Sequence, residues 1–169
     1  MLGDGTHITV TNVDVNGGGQ NGDNNQQGGF HRGVWLNGCE ECVLQSVYVK
    51  NADDGFSLGP FANGVVLSQV TARLNRRSGI HLRGFNVVQA VLPLLEGNQW
   101  FGNAGIDPNK YGAGLRFDDE DITGFGAGRS AGFVAPGIYF EGNDVDVMTP
   151  STFTGGAGRL RRGQHSGHH

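Results

Sequence analysis

Three observations predict an all-β chain wound as a parallel β-helix solenoid of about six to seven coils at roughly 24 residues each, with an irregular C-terminal part. The first is a returning phrase: Gly33-Val34-Trp35-Leu36, Gly55-Phe56-Ser57-Leu58 and Gly79-Ile80-His81-Leu82, with Gly105-Ile106 opening a weaker fourth copy. Starts at 33, 55, 79 and 105 stand 22, 24 and 26 residues apart, the spacing of a stacked repeat. The second is an apolar run between phrases: Val43-Leu44 with Val47 and Val49, Val65-Val66-Leu67 with Val70, and Val87-Val88 with Val91 and Leu92. The third is a polar turn ahead of each Gly: Asn51-Ala52-Asp53-Asp54, Asn75-Arg76-Arg77-Ser78 and Gly102-Asn103-Ala104.

Each element follows from side-chain chemistry. Gly, apolar, variable, apolar is the period-two pattern of a strand with one buried face, so the variable residue points outward. The intervening runs are short, β-branched and bounded by turn formers, which makes them strands rather than helices. Asn51 and Asn75 stand four residues ahead of their Gly and are expected to stack, because Asn tolerates the left-handed backbone of such corners.

Along the chain, residues 1 to 16 read as a first strand pair and Gly17 to Gly29 as a protruding Gly/Asn/Gln-rich loop. The regular core runs from about His31 to Ile106. Gly114-Leu115-Arg116-Phe117 and Gly137-Ile138-Tyr139-Phe140 repeat the phrase around an acidic, Gly-rich insertion at 118–132. One solenoid domain over 1–148 and a flexible Gly/Arg/His-rich tail over 149–169 are expected. A strand beginning near His7 leaves a sheet edge bare, which fits a fragment lacking an N-terminal cap, or a homo-oligomer such as a trimer.

Composition narrows the partners. The chain has 31 Gly and a net charge of −4, with Lys50 and Lys110 its only lysines, so no basic coat for nucleic acid is present. No apolar run approaches the ~20 residues of a membrane span. Met1-Leu2-Gly3-Asp4 is no signal peptide, and the solenoid pattern points to an extracellular, cell-surface or virion-surface setting. Cys39-Glu40-Glu41-Cys42 has no further Cys to complete a four-thiolate zinc site, leaving a local disulfide or two buried thiols.

Aligning the phrases places Trp35, Ser57, His81 and Asp107 in one outward column, with stacked neighbours about 4.7–4.9 Å apart. Asn37, Gly59, Arg83 and Asn109 form a second column, and the preceding turn contributes Arg32, Asp54 and Arg77. Such a face suits an acidic polysaccharide: Trp35 offers an apolar plane, while Arg32, Arg77 and Arg83 offer forks for carboxylates, with Asn37 and Ser57 as hydrogen-bonding groups. His81 is the candidate for proton transfer, oriented by Asp107 or Asp54. Asp53 and Asp54 are candidates for acid and base, and Asp54 with Asp107 for holding calcium.

Val43-Leu44-Gln45-Ser46-Val47-Tyr48-Val49-Lys50-Asn51, Val66-Leu67-Ser68-Gln69-Val70 and Leu74-Asn75-Arg76-Arg77-Ser78-Gly79-Ile80 resemble the repeats of the pectin-lyase-like superfamily over about Thr6 to Ile106. The resemblance implies a right-handed helix and action on acidic polysaccharides. Asp53-Asp54 resembles the acidic pair of polygalacturonases, but Ser78-Gly79-Ile80-His81 replaces their Gly-His-Gly, and their Asn-Thr-Asp and Arg-Ile-Lys are absent. Gly84-Phe85-Asn86-Val87-Val88 resembles alginate epimerase repeats, whose Asp-Pro-His-Glu segment has no counterpart at Ser57-Leu58-Gly59-Pro60 or Asp107-Pro108. The expected function is binding, with lyase, epimerase or glycosidase-like modification, of an acidic glycan. The alternative is a non-catalytic solenoid such as a phage tail-spike, adhesin or surface-assembly fragment.

Overall fold

The computed structural model describes residues 5–17, 32–59, 62–83, 86–98, 112–118 and 132–148. Every regular element among them is a strand. Sheet I contains β1 (Thr9–Thr11), β4 (Val43–Gln45), β7 (Ala62–Ser68), β10 (Asn86–Val91) and β13 (Gly132–Val134). Sheet II contains β2 (Asp14–Asn16), β5 (Tyr48–Lys50), β8 (Thr71–Arg73), β11 (Leu94–Glu96) and β14 (Tyr139–Glu141). Sheet III contains β3 (Arg32–Leu36), β6 (Asp54–Leu58), β9 (Ser78–Arg83), β12 (Ala113–Asp118) and β15 (Val145–Met148). Each strand lies parallel to the one three places later in the chain, so the chain visits the sheets in rotation, as a solenoid must.

The bends follow from single residues in the left-handed region. Between sheets I and II these are Asn12, Ser46, Gln69 and Leu92, with φ of 55°, 54°, 53° and 51°, then Gly137 at 69°. Between sheets II and III they are Asn51, Leu74, Gly97 and Gly142. Ser46 N donates to Ser68 O at 3.0 Å and Gln69 N to Val91 O at 2.8 Å, so the bends hydrogen-bond to one another. A left-handed Leu costs about 1 kcal/mol, which this stacking offsets.

The inner faces of the three sheets form the core. Val34 and Leu36, Phe56 and Leu58, Ile80 and Leu82, and Leu115 and Phe117 point in from sheet III against Leu44, Leu67 and Ala90 of sheet I and Val49, Ala72 and Leu95 of sheet II. Gly55 and Gly79 recur because a Cβ there would lie 2.6 Å and 2.7 Å from the carbonyl oxygens of Gly79 and Gly114. Cys39 and Cys42 are buried and joined by a disulfide.

Three expectations are corrected. Asn51 and Asn75 do not stack: Asn51 occupies the left-handed bend with Leu74, and its Nδ2 donates to Asn16 Oδ1 at 2.9 Å. Asn75, one step further on, instead begins an interior ladder. Its Nδ2 donates to Asn98 Oδ1 at 2.9 Å, and Asn98 Nδ2 donates to Asn143 Oδ1 at 2.8 Å. The phrase beside Gly79 is Gly114-Leu115-Arg116-Phe117, with Leu115 paired to Ile80 and Arg116 to His81. The spacing alone favoured Gly105, because the chain between β11 and β12 is longer than in the preceding windings; Gly105-Ile106 lies outside the described residues. Gly137 is a bend and Tyr139–Glu141 belongs to sheet II, so the last phrase is not a copy of the sheet III strand. The 17–29 loop beyond Gly17, most of the acidic insertion and the 149–169 tail also lie outside the described residues.

Candidate functional site

Sheet III carries the candidate site on its outer face. Trp35 pairs with Ser57 and Ser57 with His81, the alignment read from the phrases, and the next member of the row is Arg116. Asp107 and Asn109 lie outside the described residues. The wall is not an exposed one: Ser57 and His81 are 0% exposed and Asp54 is 1% exposed. Period-two alternation fixes which face a side chain leaves from, but not what then packs over it.

Asp54 lies at the centre. Arg32 pairs with Asp54 and Asp54 with Ser78 at the starts of their strands, so Ser78, rather than Arg77 one residue earlier, completes that column. Ser78 Oγ donates to Asp54 Oδ1 at 2.7 Å, and His81 Nδ1 lies 3.0 Å from Asp54 Oδ2. Arg83 reaches back along its strand until Nη2 is 3.5 Å from Asp54 Oδ2, with Nε and Nη2 both 3.4 Å from His81 Nδ1.

Burial pushes the Asp54 carboxyl up. The His81 hydrogen bond and positive charge, the Arg77 charge and the Ser78 hydroxyl together outweigh it and hold the group at about 2, below the usual 3.8. Asp54 is therefore a carboxylate near neutral pH. An anionic oxygen at 3.0 Å requires a proton on His81 Nδ1, since two lone pairs would otherwise face each other. Arg83 then acts on the pair as a nearby charge.

The other named residues have definite places. Asp53 Oδ1 is 2.6 Å from Arg76 Nη2, and its carbonyl accepts from Arg77 N at 2.7 Å. Asp53 thus secures the bend. Arg32 lies 4.5 Å above the Trp35 ring, a cation–π contact at the N-terminal end of the row. Asn37 stands beside Gly59, where a Cβ would come within 2.3 Å of Asn37 Oδ1.

Ser57 differs from its neighbours. Its Oγ is buried and has no hydrogen-bond partner among the described residues, although a buried hydroxyl normally finds one.

The donor set does not suit calcium. Both Asp54 oxygens are taken by Ser78 and His81, with Arg83 close by, and a divalent cation there would meet a guanidinium instead of further carboxylates. Among the described residues no three His, Cys, Asp or Glu side chains converge as metal ligands.

Ser78 and Arg116 escaped the sequence reading, yet both were signalled. Ser78 precedes Gly79 as Asp54 precedes Gly55, and Arg116 is the variable residue of the Gly114 phrase. No family model, curated protein or solved structure matches the chain. Among the described residues, no helix is long and apolar enough to cross a membrane.

Proposed function

We propose that residues 1–148 form a right-handed parallel β-helix of the pectin-lyase-like kind, with the about six to seven coils its length allows. In this reading it acts outside the cell or on a cell or virion surface and binds an acidic polysaccharide along the outer face of sheet III. His81 serves as the proton-transfer group that modifies the glycan. The observation that carries the reading is the ordered row of Trp35, Ser57, His81 and Arg116, with ionised Asp54 on His81 and Arg83 alongside. An aromatic plane, a base and guanidinium groups in line match the ring faces and carboxylates of a uronate chain. The fold itself does not choose among lyase, epimerase and hydrolase chemistry.

Titration with oligogalacturonates and oligomannuronates, read by Trp fluorescence and calorimetry, tests the binding step. Saturable binding weakened about tenfold by Trp35→Ala or Arg83→Ala is expected, the size of losing one good contact of about 1.4 kcal/mol. No binding of either series by the wild-type chain overturns the reading.

The complete burial of Asp54, Ser57 and His81 favours a second reading, a non-catalytic solenoid of the tail-spike, adhesin or surface-assembly type. Stable trimers in sedimentation, with no glycan binding and no effect of His81→Ala on assembly, would establish it in place of the first.

A further inference from the structure

Ser57 and His81 are covered on sheet III, whereas the outer face of sheet II is open: Arg73, Tyr139 and Glu141 are exposed. Val15, Val49, Ala72, Leu95 and Phe140 point into the core, so alternation turns the residues on either side of each outward. They form two registered rows. Tyr48, Thr71, Leu94 and Tyr139 stand side by side in one, and Lys50, Arg73, Glu96 and Glu141 in the other. Tyr139 is 56% exposed, and Leu92, in the bend leading into β11, is exposed to the same degree. The second row carries two positive charges followed by two negative ones along the solenoid. Arg73 Nε lies 3.2 Å from Glu96 Oε1 where the signs change, and Lys50 Nζ lies 5.4 Å from the centre of the Tyr48 ring.

We propose that the outer face of sheet II is a homodimer face, on which a second copy of this chain packs with its winding order reversed. A row that reads plus, plus, minus, minus is complementary to its own reverse. A two-fold axis parallel to the strands, between β8 and β11, lays β8 on β11 of the second copy and β5 on its β14. Strand direction is kept and winding order inverts, so each row faces itself. Lys50 then meets Glu141 of the second copy, Tyr48 meets its Tyr139, and Thr71 its Leu94. The two Arg73–Glu96 pairs close an alternating square of charges on the axis. Packing with the winding order kept would instead lay Glu96 and Glu141 over Leu94 and Tyr139, covering carboxylates with apolar groups. Four three-residue strands, about 4.8 Å apart and ~10 Å long, cover less than the ~1,600 Å² of a standard interface, so the dimer is weak and reversible. Its charges set the register and are screened by salt. The dimer depends on neither reading of sheet III.

Sedimentation equilibrium of the full chain at low salt should give a monomer–dimer equilibrium in the micromolar to millimolar range, weakened about tenfold or more at high salt. Lys50→Glu alone, or Glu141→Lys alone, sets two like-charge contacts across the axis and should weaken the dimer about tenfold or more. Mixing the two variants gives a heterodimer with one contact native and the other inverted, which should recover wild-type affinity to within about threefold. Both substitutions lie on the outer face, and circular dichroism checks that each variant is folded. A monomer at every concentration, a trimer, a dimer that neither reversal weakens, or two weakened variants that stay apart on mixing would each overturn the proposal. Oligogalacturonate binding that falls with Lys50→Glu in a chain that stays monomeric would put a glycan on this face in place of a second copy.

Discussion

Two polar rows run through this solenoid, and they are built on opposite terms. The ladder of Asn75, Asn98 and Asn143 repeats one residue type in successive windings, carries no charge, and binds both side chains and backbone. Asn98 Nδ2 also donates to Ala72 O at 3.1 Å, and Asn143 Nδ2 to Leu95 O at 2.8 Å. The row on sheet III repeats nothing: Trp35, Ser57, His81 and Arg116 are four chemistries on four strands, flanked by an ionised Asp54. In the first row repetition satisfies each corner with its neighbour's amide. In the second the break in repetition leaves Ser57 Oγ unpaired, and such an unmet demand in a native fold is expected at functional sites.

Breaking the ladder should have the largest effect. Asn98→Ala orphans Asn75 N and Asn75 Nδ2 in the interior and removes one donor from Ala72 O, at about 1–3 kcal/mol for each unsatisfied group. A loss of roughly 3–5 kcal/mol in urea unfolding is expected, and a loss under about 1 kcal/mol would show that the ladder does not hold the corner.

Acid sharpens the contrast, because only the sheet III row is charged. The folded Asp54 pKa, about 2, lies below its ordinary 3.8, so its contribution is complete above the ordinary value and is lost as pH falls through the folded one. That contribution is about 2 kcal/mol. Wild-type stability should therefore fall between about pH 4 and pH 2 with a slope that Asp54→Asn removes and Asn98→Ala retains.

The smallest effect should have the opposite sign. Ser57→Ala deletes a buried hydroxyl that satisfies nothing, so the variant should be as stable as wild type or up to about 1 kcal/mol more stable. Its melting temperature checks this. A clear destabilisation would mean that the hydroxyl has a structural partner.

Much of this contrast was legible in the residues. The Gly-anchored phrase gave the pairing of Trp35, Ser57 and His81, because Gly55 and Gly79 are fixed by the carbonyls they approach. Asp54 was one of two carboxylates expected to reach His81, and it does so; Asp107 lies outside the described residues. Burial of Ser57 and His81 was not legible, since period-two alternation fixes the face a side chain leaves from and not what packs over it. Nor was the offset between Asn51 and Asn75: both are Asn in the same kind of turn, yet one needs a left-handed backbone and the other a side chain turned inward. Gly105 misled because an aperiodic stretch precedes β12, and a fixed repeat length selects the nearest Gly instead of the one that pairs.

The tautomer of His81 tests most directly whether the sheet III row is poised for chemistry. Long-range proton–nitrogen NMR correlations of the folded chain near neutral pH should show a proton on Nδ1, facing Asp54. A bare Nδ1, with the only ring proton on Nε2, would contradict the account.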